Sequence, residues 1–213
     1  MPKKELERRA YTFEVRAEEN ERGKIITGRP IVYNSRTNLG YFDEVIDPGA
    51  LDKTDLTDVR LLVNHDTRRI PVARSRRNNG NSTMRLSVDA FGLNIDWASL
   101  DVENNPEAAA LYSAVSRGDI SGMSFMFSVD GESWEDLESD HPTRHITNIG
   151  SVVEVSAVTF PAYQATEINA RSDAALESAR SALDRARERR AGAVDTAELA
   201  LLKEKLRLLG GMY

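Results

Sequence analysis

The sequence contains no cysteine, which excludes a disulfide framework, a thiolate metal site and a cysteine nucleophile; a nucleophile here has to be oxygen or nitrogen. No apolar run approaches the roughly 18 to 20 residues needed to span a bilayer. The opening MPKKELERRAYTF has charges where a signal peptide has its apolar core. These absences predict a soluble protein of the cytoplasm with no membrane partner. No HExxH pattern, glycine-rich phosphate loop or metal-ligand cluster occurs, so no cofactor is expected. Excess positive charge is also lacking. The net charge is -6, and residues 171–213 hold nine Lys/Arg against seven Asp/Glu, which leaves +2 there and -8 over residues 1–170. An acidic body argues against nucleic acid as a partner. Arg185, Arg187, Arg189 and Arg190 are interleaved with Asp184 and Glu188 and read as a solvated helix face.

What is present is the punctuation of a mainly β protein. Between Tyr11 and Phe160, short apolar or alternating runs are broken by Gly, Pro, Asn and Asp. Candidate strands are Tyr11 to Glu18, Lys24 to Tyr33, Val59 to Asn64, Val72 to Ser75, Thr83 to Asp89, Gly92 to Ser99, Ser121 to Val129, Thr143 to Ile149 and Val152 to Phe160. So many strands predict a closed or partly open antiparallel β-barrel, or a sandwich. Ala90-Phe91-Gly92 and NNGNS (78–82) read as turns. Helices are expected at PGALDKTDL (48–56) and at PEAAALYSAVSRGD (106–119). The latter has Pro in its first turn, Gly118 as its stop, and Ala108, Leu111, Tyr112 and Val115 on one face.

After Ala165 the composition turns strongly helical. Gly192 is expected to interrupt this helix and Thr196 to cap a second one, with Leu199, Leu202, Leu206 and Leu209 forming a short seam. A seam of two heptads needs a partner or the body of the protein. The expected division is a β domain over residues 1–168 and a helical tail over 169–213, the tail serving self-association.

Three residues interrupt strand-like runs with chemistry: His65 in RLLVNHD, Ser124 in ISGMSFMFSV and Glu154 in SVVEVSAVTFPAY. His65 at a strand end can meet both solvent and a substrate, and equally reads as a surface histidine beside a turn. Alternation puts Ser121, Met123, Phe125 and Phe127 on one face of their strand and Gly122, Ser124, Met126 and Ser128 on the other. The Met and Phe face is the buried one, and Ser124 beside a glycine is approachable by a peptide backbone. Glu154 in so apolar a strand is costly unless paired, and an imidazole is a natural partner; it also reads as an outward-facing residue of a half-wet strand. If those runs are neighbouring strands, the three supply a nucleophile, a base and an orienting acid, the minimum equipment of a serine hydrolase. Asp66 is a second acid near His65, but neighbours along a strand point apart. His141 and His145 lie in a polar segment and read as surface residues.

In order, EVIDPGAL (44–51), LLVNHDTRRIPVAR (61–74), ISGMSFMFSV (120–129) and VVEVSAVTFPAYQAT (152–166) resemble the prohead proteases of tailed bacteriophages of the HK97 type, which are related in fold to the herpesvirus assemblins. The resemblance covers residues 11–168 and implies a serine endopeptidase in the host cytoplasm, inside the assembling prohead. It implies cleavage of the major capsid protein, the scaffold protein or both, often with self-cleavage. The family's histidine, serine and acid fall on His65, Ser124 and Glu154. Its SxGF pattern departs at Met126, and Ser121 is the second serine of the motif. A non-catalytic assembly factor that keeps the fold, and a β-barrel binding module that oligomerises through its tail, are the competing readings.

Overall fold

The structure is a computed structural model and describes residues 6–11, 15–159 and 173–210. The expected strand Tyr11 to Glu18 and the end of Val152 to Phe160 fall partly outside them. Strand predominates over helix among the described residues, so the mainly β expectation holds. The barrel does not: the strands form two separate sheets that are not closed on each other.

The four-stranded antiparallel sheet runs in the order β2 (Val15–Asn20), β3 (Gly23–Val32), β9 (Gly92–Ser99), β8 (Met84–Asp89). The second sheet is mixed. Its main path is β1 (Glu7–Tyr11), β10 (Gly122–Glu135), β11 (Thr143–Val158), β5 (Asp43–Ile46) and β4 (Thr37–Asn38), and β6 (Val59–Val63) joins β11 and carries β7 (Ala73–Ser75). β11 is antiparallel to β10 but parallel to β5 and β6, which corrects the all-antiparallel expectation. The expected strands 143–149 and 152–160 are one continuous ladder, long enough for β5 and β6 to share its far edge. Ile26, Ile31, Met84, Leu93 and Ile95 of one sheet and Leu61, Phe125, Phe127, Val155 and Ala157 of the other meet in a single core. There apolar burial supplies the main stabilisation.

The hairpin expected at Ala90-Phe91-Gly92 joins β8 to β9, and it depends on the absence of a side chain. Gly92 has φ +138°, and a Cβ there would lie 2.0 Å from the Ile31 carbonyl oxygen. Gly92→Ala is expected to destabilise the fold by at least about 3 kcal/mol, read as a lowered urea midpoint at unchanged slope.

Helix α1 (Pro106–Arg117) forms where expected. The Asn105 side chain accepts from the amides of Glu107 and Ala108, and Gly118 closes the helix in the left-handed conformation. Ala108, Leu111 and Val115 are buried. The helix expected over 48–56 is instead a series of turns, with Ala50, Asp52 and Thr54 each donating to the carbonyl three residues earlier. The reason is local: Gly49 takes φ +86°, off the helical path.

Helix α2 (Asp173–Gly210) passes through Gly192 without a break, and the Thr196 hydroxyl donates to the Gly192 carbonyl (2.7 Å) rather than capping a new helix. One glycine costs a helix only about 1 kcal/mol, too little to end it. Ala179, Leu183 and Ala186 pack with Phe42 and Leu137 in a second small core. Arg187 donates to the carbonyls of Leu137 (3.2 Å) and Ser139 (3.0 Å), and Arg189 pairs with Glu132. These arginines therefore dock the helix on the body, where a solvated face was expected. Leu199 is exposed, while the side chains of Leu202, Leu206 and Leu209 lie outside the described ones.

Candidate active site

The site is built on the two longest strands. In the β10–β11 register Ser124 is opposite Ser156 and Met126 is opposite Glu154. Directly opposed residues project to the same face, so these four side chains share one face, while Met123, Phe125 and Phe127 enter the common core from the other. The predicted alternation holds, but both faces are buried here: Ser124 is 1%, Glu154 3% and Ser156 0% exposed. Just beyond the Met126–Glu154 pair the register shifts, Phe127 pairing with Val152, so that Val153 is an extra residue. This bulge lets Val152 and Val155 both reach the core while Glu154 faces away from it.

His65 arrives from the opposite edge. β6 runs parallel to β11 with Leu62 beside Ser156, and the chain then reverses, the Asp66 amide donating to the Val63 carbonyl (3.1 Å). Asn64 (φ 51°) and His65 (φ 59°) are both left-handed, the signature of a type I′ turn. Such a turn around a histidine needs support. The Asn64 amide N–H donates to the Ala157 carbonyl (3.0 Å), and the Asn64 side chain exchanges two hydrogen bonds with Thr159 (3.0 and 2.9 Å). The His65 backbone N–H donates to Ser156 Oγ (3.1 Å). The ring is thereby turned back over β10.

Three side chains meet in a row as a result. His65 Nδ1 is hydrogen-bonded to Glu154 Oε1, and His65 Nε2 lies 2.5 Å from Ser124 Oγ. An ionised carboxylate only accepts, so Nδ1 carries the proton and Nε2 is free to accept one. The other carboxylate oxygen, Oε2, accepts from the Ser156 hydroxyl (2.6 Å). Ser124 Oγ also lies 2.6 Å from the Arg9 carbonyl oxygen, so its single proton has two acceptors.

The Arg9 side chain belongs to a buried ionic cluster that sequence reading missed, because its members are scattered over four strands. Arg9 bonds Glu7 (2.5 Å) and Glu44, and Arg144 bonds Glu7 (2.7 and 2.9 Å), Glu44 (3.0 Å) and Glu132 (2.5 Å). Burial by itself pushes the Glu7 carboxyl up, but the Arg9 and Arg144 guanidiniums outweigh it and hold it at about 2, against an ordinary value of 4.5. A carboxyl held low when folded stabilises the fold above its unfolded value, and that stability is lost as pH falls toward the folded one. Wild type is therefore expected to lose up to about 3 kcal/mol between about pH 4.5 and 2 from this group. Glu7→Gln should remove that part of the slope in urea titrations repeated at several pH values.

The remaining candidates lie apart from the row. Ser121 is exposed and precedes β10. Asp66 bonds the Arg68 side chain (3.2 Å), His141 pairs with Asp43 (2.9 Å) and His145 with Asp47 (2.8 Å). Among the described residues no group of three or more His, Asp or Glu could hold a metal ion, and no helix is long and apolar enough to cross a membrane.

A serine, an imidazole and a buried carboxylate in hydrogen-bonded sequence are the arrangement of the serine hydrolase class. The chain belongs to the caudovirus prohead serine protease family, whose sequence model matches residues 11–180 of the 213. Membership carries the serine-protease class and a role in phage capsid maturation, in agreement with the ordered motifs. Comparison with curated proteins and with solved structures finds no match.

Proposed function

We propose that this chain is the endopeptidase that cleaves capsid or scaffold protein inside the assembling prohead, with Ser124 as nucleophile, His65 as general base and acid, and Glu154 as the orienting carboxylate. The observation that carries this reading is the continuous row from Ser124 Oγ through both ring nitrogens of His65 to Glu154. Nε2 takes the Ser124 proton as Oγ attacks the scissile carbonyl carbon, and Glu154 stabilises the imidazolium that forms. The same proton passes to the leaving amine as the acyl-enzyme forms, and water then repeats the sequence to release the acid. Self-cleavage, kinship in fold with the assemblins and the division into residues 1–168 and 169–213 belong to the same proposal. Scaffold docking or self-association falls to the distal half of α2, whose Leu199 and Leu201 are exposed.

A second reading, a non-catalytic assembly factor that keeps the fold, is favoured by one observation: Ser124 is only 1% exposed. Co-expression with the phage's major capsid and scaffold proteins separates the two. Processing by wild type that is lost in Ser124→Ala and kept in Ser121→Ala supports the protease; no processing by wild type supports the assembly factor.

A further inference from the structure

We propose that Ser156 is a positioning residue for the Ser124–His65–Glu154 row, fixing both the carboxylate of Glu154 and the backbone of His65 through one hydroxyl. This rests on the reading of the row as a protease site. Ser156 follows Glu154 by two residues, so the two share a face of β11, and it is the direct partner of Ser124 across the β10–β11 ladder. It is fully buried. Its hydroxyl donates to Glu154 Oε2 (2.6 Å) and accepts from the His65 backbone N–H (3.1 Å).

The first bond sets the rotation of the carboxylate. With Oε2 occupied by Ser156, Oε1 is the oxygen presented to His65 Nδ1, which in turn holds the ring in the form with Nε2 open toward Ser124. The second bond holds the amide of a histidine whose φ is 59°, and this left-handed backbone is what aims the ring. Three of the groups thus close a loop, His65 to Glu154, Glu154 to Ser156 and Ser156 back to His65, and Ser124 joins it through His65 Nε2. A hydroxyl can donate to a carboxylate and accept from an amide at the same time. Alanine can do neither, and a cysteine thiol of similar size does both weakly.

The test uses the full chain and a fluorophosphonate probe, which reacts with activated serines, with Ser124→Ala as background. Ser156→Ala and Ser156→Cys are expected to lower the rate constant for labelling by roughly 10- to 100-fold, the cost of slight misplacement of reacting groups. Ser156→Thr, which keeps the hydroxyl, should stay near wild type. Simple packing predicts the reverse order, because threonine adds a methyl group to a filled site while cysteine nearly fits. The downfield proton resonance of the His65 Nδ1–H supplies a readout that packing does not move. It should persist in Ser124→Ala and Ser156→Thr and be shifted or broadened in Ser156→Ala. Should Ser156→Ala fail to fold, the Cys and Thr variants decide. Ala and Cys variants with wild-type labelling and resonance, or a Thr variant as slow as Cys, overturn the role of Ser156 alone. A wild-type chain labelled no faster than Ser124→Ala overturns the protease reading and this inference together.

Discussion

Ser124→Ala is expected to reduce peptide hydrolysis on the order of a million-fold while leaving the fold intact. The two halves of this expectation have separate causes. The substitution removes one oxygen atom whose partners are His65 Nε2 at 2.5 Å and the Arg9 carbonyl at 2.6 Å. No charge is left unpaired, since Glu154 keeps its bonds to His65 Nδ1 and Ser156. The stability change should therefore be about 1 kcal/mol, the scale of one hydrogen bond. Without the oxygen there is no acyl-enzyme, and His65 has no proton to take. Ser121→Ala changes an exposed residue ahead of β10 and should process capsid protein at the wild-type rate. Gel analysis of capsid-protein cleavage, alongside thermal unfolding of each variant, reads both halves. Processing retained in Ser124→Ala would reject Ser124 as the nucleophile.

Glu154→Gln should lower the rate by about ten-thousand-fold. The buried carboxylate has both oxygens engaged, one with His65 Nδ1 and one with the Ser156 hydroxyl. An amide offers one acceptor and one donor. If its oxygen faces Nδ1, its nitrogen faces Ser156 and the serine proton loses its acceptor. If its nitrogen faces Nδ1, the ring must carry its proton on Nε2 and cannot deprotonate Ser124. Either way the negative charge that balances the imidazolium is gone. Asp66→Asn serves as the control: that carboxylate sits with Arg68 and Arg69, and its loss should leave the rate unchanged. The measurement is the time course of capsid-protein cleavage, with fluorophosphonate labelling of Ser124 as a second readout. Equal losses in Glu154→Gln and Asp66→Asn would contradict the assignment of the orienting acid.

Much of this site was legible before any coordinates because strand alternation is a local property. It separated Ser124 from Ser121 and put Met123, Phe125 and Phe127 on the core side, as observed. The cost of burying a lone carboxylate marked Glu154 as a residue that needs a partner. Other parts were not legible. Strict alternation would place Val152 on the same face as Glu154, and only the extra residue Val153 reverses that parity. Ser156 carried no signal, since a serine in a strand is ordinary until its neighbours across two ladders are known. The cluster of Glu7, Arg9, Glu44 and Arg144 escaped for the same reason: each looks like a surface charge until the strands bring four of them together.

By itself the sequence determined the mainly β character, helix α1 with its Gly118 stop, the hairpin at Ala90-Phe91, the three candidate residues of the row and the resemblance to the family. Each depends on side-chain periodicity, a turn residue or an ordered motif, which are properties of short stretches of chain. The tertiary structure alone decided that the sheets stay open, that β6 joins β11 in parallel and that α2 runs unbroken and docks through its arginines. It also decided that the left-handed backbone of His65 is stabilised by a serine 91 residues further on. These depend on which edges pair at long range, and backbone hydrogen bonding is the same for every residue, so sequence pattern does not specify that choice.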